Sequence, residues 1–261
     1  MSALRVAFIS DLHLDHNPGL LPLLEERLRE VRASVFIIAG DMFSGMSRLE
    51  AALKRIRKCC ENVLFLPGNH DLWVNETNAL GNSRNIYENV MRRTVHRAGA
   101  HYLGMEPFFI DGIAVCGVTG WYDAFPSPPI TTPDEKLCNW PEFSTPADVL
   151  EWQLGILESQ LTLASEKARK IIAVTHTVPF LDRIKKQVSG ELLAYMGSQR
   201  LGDCICRFPK VVYAISGHIH VRMLHSLPQG FPWEVSPFGY PRELGDDPKK
   251  VMMESLRLIE V

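Results

Sequence analysis

The sequence predicts a mixed domain of the α/β or α+β class, and three observations predict it. Short β-rich apolar runs alternate with amphipathic stretches along the chain. Val35–Ala39 and Val63–Leu66 are apolar without a break, the mark of strands covered on both faces. Five runs end directly in residues that ligate metals or hydrogen-bond, and sites in open α/β sheets form outside the carboxyl ends of the strands.

In order along the chain, Arg5–Ser10 reads as the first strand. Leu20–Val31 reads as a helix, with Leu20, Leu21, Leu24, Leu28 and Val31 at helical spacing. Val35–Ala39 is the second strand. Ser47–Cys60 is helical, with Ser47 at the N-cap and Glu50 three residues on, a capping box. Val63–Leu66 is the third strand and Arg84–Ala98 a helix. Phe108–Ile110 and Ile113–Val118 flank Asp111-Gly112, which predicts a tight hairpin. A long helix lies within Pro146–Lys170, followed by the strands Ile171–Thr175 and Val211–Ser216. Arg222–Leu227, Trp233–Val235 and Leu256–Val261 read as antiparallel strands. Residues 121–146 hold six of the 17 prolines, so this stretch is neither ordinary helix nor central strand. It reads as a lid-like surface excursion anchored by Trp121, Tyr122, Phe125, Trp140 and Phe143. No composition break occurs elsewhere, so 1–261 reads as a single domain.

The 261 residues carry 28 Lys and Arg against 30 Asp and Glu, a net charge of −2. Apolar types make 46% and charged types 22%, which excludes disordered, collagen-like and coiled-coil proteins. Near-neutrality gives no general drive toward nucleic acid or an anionic membrane. No apolar run is long enough to span a bilayer. The first ten residues lack a signal-peptide pattern, and six sparse cysteines contain no Cys-x-x-Cys pair. A reducing, cytoplasmic location is the expectation. Cys204 and Cys206 read as small apolar residues near a helix end rather than metal ligands. The basic run Lys54–Lys58 reads as a solvated helix face.

The chemistry lies in the five strand ends: Asp11-Leu12-His13, Gly40-Asp41, Gly68-Asn69-His70-Asp71, His176 and Gly217-His218-Ile219-His220. Asp11, His13, Asp41, Asn69, His176, His218 and His220 supply carboxylate, imidazole and amide groups. That set suits divalent ions such as manganese, iron, zinc or cobalt. Seven ligands are too many for one four-coordinate ion with an open position, and suit two ions sharing a ligand. Asp41 is the natural bridge, since a carboxylate has two oxygens. Asp-x-His and His-x-His each put both side chains on one face of an extended segment. Singly these motifs are commonplace. Together, in this order, they hold five of the nine histidines.

With these residues in place, the sequence resembles the calcineurin-like metallophosphoesterases, and all the motif blocks between residues 11 and 220 are present in order. The resemblance implies a two-sheet β-sandwich flanked by helices, a four-layer αββα fold, with a di-metal centre at one edge. Carried over, Asp11, His13, Asp41 and His220 hold one metal, and Asp41, Asn69, His176 and His218 the other. His70 is the non-ligand histidine, poised by Asp71. The expected activity is hydrolysis of a phosphodiester or phosphomonoester of small or medium size. Two ions about 3.5–4 Å apart ionise a bridging water, which attacks phosphorus in line, and His70 assists the leaving oxygen.

The substrate side is thinner. Arg84, after Asn82-Ser83 and at a helix start, is a candidate phosphate contact, with a solvated capped helix as the plain alternative. Tyr122 or Trp73 is a candidate for stacking on a substrate or covering the metals, against ordinary packing. Tyr240 and Arg242 are further candidates. A nuclease would need a basic, aromatic-lined groove, which the sequence does not show. A non-catalytic interaction module would be expected to have lost ligands, and none is lost. A lipid-linked pyrophosphate hydrolase would need an amphipathic anchor, and none is visible.

Overall fold

Apolar residues spaced two apart along the strands decide the architecture. In the first strand Val6 and Phe8 face one way, Ala7 and Ile9 the other, and all four are buried. The computed structural model of the protein describes residues 3–46, 48–74, 81–123, 132–188 and 190–261. The chain runs β1 (Arg5–Ile9), α1 (Leu20–Val31), β2 (Val35–Ala39), α2 (Leu49–Ile56) and β3 (Asn62–Leu66). After a 3-10 turn at His70–Leu72 come α3 (Ser83–Asn85), a π-helical stretch Ile86–Met91 and α4 (Arg92–Arg97). Then follow β4 (His101–Tyr102), β5 (Phe108–Ile110), β6 (Ile113–Val118), α5 (Pro133–Leu137), α6 (Pro146–Lys167) and β7 (Lys170–Thr175). The chain closes with α7 (Gly190–Leu193), α8 (Gln199–Cys206), β8 (Val211–Ser216), β9 (Met223–Ser226), β10 (Pro232–Val235), α9 (Pro248–Ser255) and β11 (Arg257–Glu260).

One sheet has the order β11-β1-β2-β3-β4 and the other β5-β6-β7-β8-β10-β9. Val6, Phe8, Val35, Ile37, Leu64 and Leu66 of the first sheet pack with Val115, Ile172, Val174 and Ile215 of the second. The alternate residues, such as Ile9, Phe36, Ile38 and Phe65, belong to the cluster that contains the apolar faces of α1, α2 and α6. The result is helix, sheet, sheet, helix. Each inner strand is covered twice, which is why the runs are unbroken in apolarity.

Several boundaries follow sequence logic. α1 and β2 match the expected spans, and the β5–β6 hairpin turns at Asp111 (φ 50°) and Gly112 (φ 79°), both left-handed as a type I′ turn needs. α6 starts where Thr145 and Asp148 form a reciprocal capping box. Other expectations need correction. α2 begins at Leu49 with Arg48 at its N-cap, not Ser47, which lies outside the described residues. The helix expected over 84–98 contains a π-helical turn. β9 and β11 are antiparallel to their neighbours, but β10 also pairs parallel with β8. Phe125, Pro126, Pro128 and Pro129 of the proline-rich stretch lie outside the described residues.

All six cysteines are free, and Cys204 and Cys206 sit in the last turn of α8. In the basic run Lys54 pairs with Glu50 (2.7 Å) and Arg55 with Glu25 (2.6 Å), so both cations are engaged on the helix surface. Among the described residues no helix is long and apolar enough to cross a membrane.

Candidate metal centre

β1, β2 and β3 are parallel neighbours in one sheet, and β7 and β8 in the other, so strand ends align at common edges. The loops beyond them interlock. Asp11 N–H donates to the Gly40 carbonyl (3.0 Å), His13 N–H to the Asp41 carbonyl (3.0 Å), and Gly217 N–H to the His176 carbonyl (2.9 Å). The sheets are stitched together here, because His218 N–H donates to the Asp11 carboxylate (3.1 Å). Two glycines make this approach possible. A Cβ at Gly40 would lie 2.2 Å from His176 Nδ1, and one at Gly68 2.1 Å from Asp41 Oδ1.

The backbone is forced where the candidate ligands sit. Six described non-glycine residues have positive φ, and four of them are Asp11, His13, Asp41 and His218. Arg32 and Asp111 end a helix and turn a hairpin, conventional reasons for that conformation. The other four hold an unfavourable conformation that the surrounding structure must sustain, a pattern that marks functional sites.

Three sets of ligand atoms lie within 4.8 Å of one another: Asp11, His13 and His220; His13, Asp41 and His70; and Asp11, Asp41 and His176. The two oxygens of Asp41 face different partners. Oδ1 is 3.4 Å from His176 Nε2, while Oδ2 is 3.8 Å from His70 Nε2 and 4.0 Å from His13 Nε2. His220 Nε2 is 3.5 Å from Asp11 Oδ1. Ligands at about 2.0–2.2 Å from a shared divalent ion stand about 3–4 Å apart, so these spacings fit.

The hydrogen bonds around the centre test the fit further. His176 Nδ1 lies 2.9 Å from the Ala39 carbonyl, and His218 Nε2 3.1 Å from the Tyr195 carbonyl. A carbonyl only accepts, so these two nitrogens carry hydrogen. In the neutral rings, His176 Nε2 and His218 Nδ1 are then lone pairs. Both point at the Asn69 carbonyl oxygen, each at 3.0 Å. Three acceptors meeting at one place form a socket for a cation, and the residues present fit a metal.

Burial and neighbouring carboxylates set the protonation of these groups. Burial acts to lower His176, but Asp41 and Asp11 overcome it and raise its pKa to about 10. Burial likewise opposes His220, yet Asp11 and Glu243 raise it to about 9. Burial wins at His13, which falls to about 4, and at His218, lowered by burial and by His176. His220 Nε2–H therefore donates to the neutral His13 Nε2, 3.2 Å away. Burial raises Asp41, but His176 and His70 outweigh it and hold the carboxyl well below its ordinary value.

His70 has a different setting. Its ring stacks on Trp73 with centroids 3.7 Å apart, and its Nδ1 has no hydrogen-bond partner among the described residues. His70 and His220 keep 16% and 18% of their side-chain surface, whereas His13 and His176 keep none, so the centre opens on the side of the former pair. Tyr240 stacks on His13 at 4.2 Å, and the exposed guanidinium of Arg242 lies 5.2 Å from the Tyr240 ring.

Asp71 departs from its expected contact, and Arg84 and Tyr122 take the plainer of their two readings. Asp71 does not orient His70. Its carboxyl turns inward in the 3-10 turn and accepts from the backbone N–H groups of Gly68 (2.8 Å), Phe43 (3.0 Å) and Met42 (3.4 Å). Burial and Asp41 raise its pKa to about 7. Arg84 is held by Glu88 (3.0 Å) and lies over Phe143 and Trp152, so it is committed to the surface of the helix layer. Tyr122 is buried, stacked on Trp121 and edge-on to Tyr195, and packs as core rather than as a cover.

Three residues of the centre carry no sequence signature. Asp134 accepts from Asn69 Nδ2 at 2.9 Å. Glu243 accepts from His220 Nδ1 at 2.7 Å, directing the other ring nitrogen to the centre. Asn17 Nδ2 ties the Leu12 and Gly239 carbonyls at 2.9 Å each, joining the loops that carry His13 and Tyr240. None belongs to a short motif.

A family model for calcineurin-like phosphoesterases matches residues 4–222. No curated protein matches the chain. Among solved structures it is similar to a phosphopantetheinyl hydrolase from Mycobacterium tuberculosis, at 19% identity and TM-score 0.78, over 99% of this chain and 96% of that one. It is similar to a dimetal phosphatase from Danio rerio at 14% identity and TM-score 0.53, covering 91% and 88%. It is also similar to TT1561 of Thermus thermophilus, at 14% identity and TM-score 0.58, covering 99% of each chain. At these identities the likeness is one of fold.

Proposed function

The chain belongs to the calcineurin-like phosphoesterases, and from that premise we propose that it is a metal-dependent hydrolase of a phosphodiester or phosphomonoester of small or medium size. The observation that carries the proposal is the cation socket at the strand ends, with Asp41 presenting one oxygen to each of two ligand groups. Asp11, His13, Asp41 and His220 would hold one cation, and Asp41, Asn69, His176 and His218 the other. The donor chemistry suits manganese, iron or zinc. Two such cations supply, when bound, a water ionised near neutral pH and a clamp on phosphoryl oxygens.

The chain's own residues do the rest. Asp41, well below its ordinary pKa, stays ionised throughout. The Ala39 and Tyr195 carbonyls and Glu243 hold hydrogen on the outer ring nitrogens, so the inner ones stay turned to the centre. His70, clamped by Trp73 and open to solvent, is placed to donate a proton to the leaving oxygen. Asp71 contributes by fixing the backbone that carries Asn69 and His70. Arg242, exposed over the Tyr240 ring that stacks on His13, would receive a substrate phosphate oxygen. We take 1–261 as one domain in this role, with Asp134 of the 121–146 stretch bordering the centre.

The test is hydrolysis of bis-p-nitrophenyl phosphate and p-nitrophenyl phosphate by the manganese-loaded protein, followed by nucleotides, cyclic nucleotides, nucleic acid and a phosphopantetheinylated protein. The last is included because the phosphopantetheinyl hydrolase shares the fold over nearly the whole chain. A protein that binds no divalent metal and cleaves no phosphate ester would refute the proposal.

A further inference from the structure

We propose that Asp134, a residue of the proline-rich stretch, is a positioning residue that fixes the Asn69 amide with its oxygen toward the centre and fixes the Trp73 indole beneath His70. The inference rests on the reading of Asn69 as a metal ligand.

Asp134 is the second residue of α5 and is 6% exposed. One of its oxygens, Oδ1, accepts from Asn69 Nδ2 (2.9 Å) and from Trp73 Nε1 (2.7 Å). A primary amide has two ends of nearly equal size, and only its hydrogen-bond partners decide which end points where. An oxygen already accepting the indole N–H attracts the amide NH2 and repels the amide oxygen. The Asn69 oxygen is thereby sent to the opposite side, where His176 Nε2 and His218 Nδ1 each lie at 3.0 Å. The reverse orientation would aim two N–H groups at the socket and repel a cation. The same carboxyl locks the Trp73 ring, which stacks on His70 at 3.7 Å. One buried side chain, 65 residues from Asn69 in sequence, therefore sets both a ligand and the platform of the proton donor.

The experiment is manganese titration of the metal-free protein by calorimetry. Asp134→Leu, which removes the acceptor, weakens one of the two manganese sites by about 10–100-fold, the usual cost of losing a partner of a metal ligand. Asp134→Asn, which can present an oxygen at the same place, restores binding to within about threefold of wild type. In an Asn69→Ala background, Asp134→Leu adds no further loss, because the route through Asn69 is already gone. Equal manganese binding by wild type and Asp134→Leu would overturn the inference, as would an equal additional loss in the Asn69→Ala background. A wild-type chain that binds no manganese would instead bring down the metal reading on which it rests. A measurement on the unmodified protein guards against a variant that does not fold. The Asn69 side-chain amide protons should exchange slowly with solvent, and fast exchange would overturn the inference.

Discussion

Asp41→Asn removes one charge while keeping shape, and the structure sets the size of its effect. Asp41 lies 3.4 Å from His176 Nε2, and both side chains are buried. At an effective dielectric near 20, a unit charge pair at that distance is worth about 5 kcal/mol. The rise of His176 from 6.5 to about 10 converts, at about 1.4 kcal/mol per pH unit, to about 5 kcal/mol. The two figures are of the same order, and Asp41 is the largest of the groups that raise His176 against its burial. In the variant, burial acts on His176 against Asp11 and the Ala39 carbonyl, without the largest opposing group, and the ring should be neutral at pH 7. The sign for stability follows. A pKa raised on folding contributes stability that is complete below pH 6.5 and lost as pH rises toward 10. Metal-free wild type should therefore lose stability across that window, and the variant should lose less by an amount of that order. Nitrogen-15 NMR of the imidazole rings and denaturant melts of the metal-free proteins measure both. The variant should also lose manganese loading and at least about a thousandfold in turnover, several kcal/mol of charge stabilisation. A protonated His176 at pH 8 in Asp41→Asn, or retained turnover, would refute the reasoning.

Other consequences are direct. His70→Ala should keep both metals by elemental analysis while kcat falls about 10²–10⁴-fold, the range for a lost proton donor; lost metal would make His70 a ligand instead. Chelation should abolish hydrolysis and manganese should restore it, and activity indifferent to a chelator would exclude the metal mechanism. Arg84→Ala should leave KM unchanged, since Glu88 and two rings engage that side chain, whereas Arg242→Ala should raise KM about tenfold, one charge-assisted contact. The opposite ranking would return Arg84 to the site. Trp233→Ala, which empties a fully buried position, should cost about 3–5 kcal/mol in denaturant melts without altering metal content; a smaller loss would mean that the site collapses on itself.

The strand ends were legible because chemistry follows directly on a buried apolar run, at Asp11, Asp41, Asn69, His176 and His218. Proximity in sequence misled in two cases. Asp71 follows His70, but neighbours in a 3-10 turn point apart, and three backbone N–H groups claim the carboxyl. Arg84 starts a helix, but Glu88 at i+4 was the nearer partner. Asp134 and Glu243 carry no local pattern, because each acts across a long loop. The short strand His101–Tyr102 and the helix Pro248–Ser255 carried too little pattern, and of Gln199–Cys206 only the end near Cys204 and Cys206 was legible, although Ser198 and Asp247 cap the two helices. Two residues are too few for a period, and eight give barely two turns.

The centre draws Asp11, His13, Asp41 and Asn69 from beyond one sheet, and His176, His218 and His220 from beyond the other. A cation held by these residues would clasp the seam of the sandwich, and its occupancy would be written into the melting temperature. At a hundredfold excess of metal over its Kd, each site adds about 2.7 kcal/mol. That is a rise of about 5–10 °C for a chain of this size. Which metals this protein accepts can thus be ranked by heat alone, before any substrate is in hand.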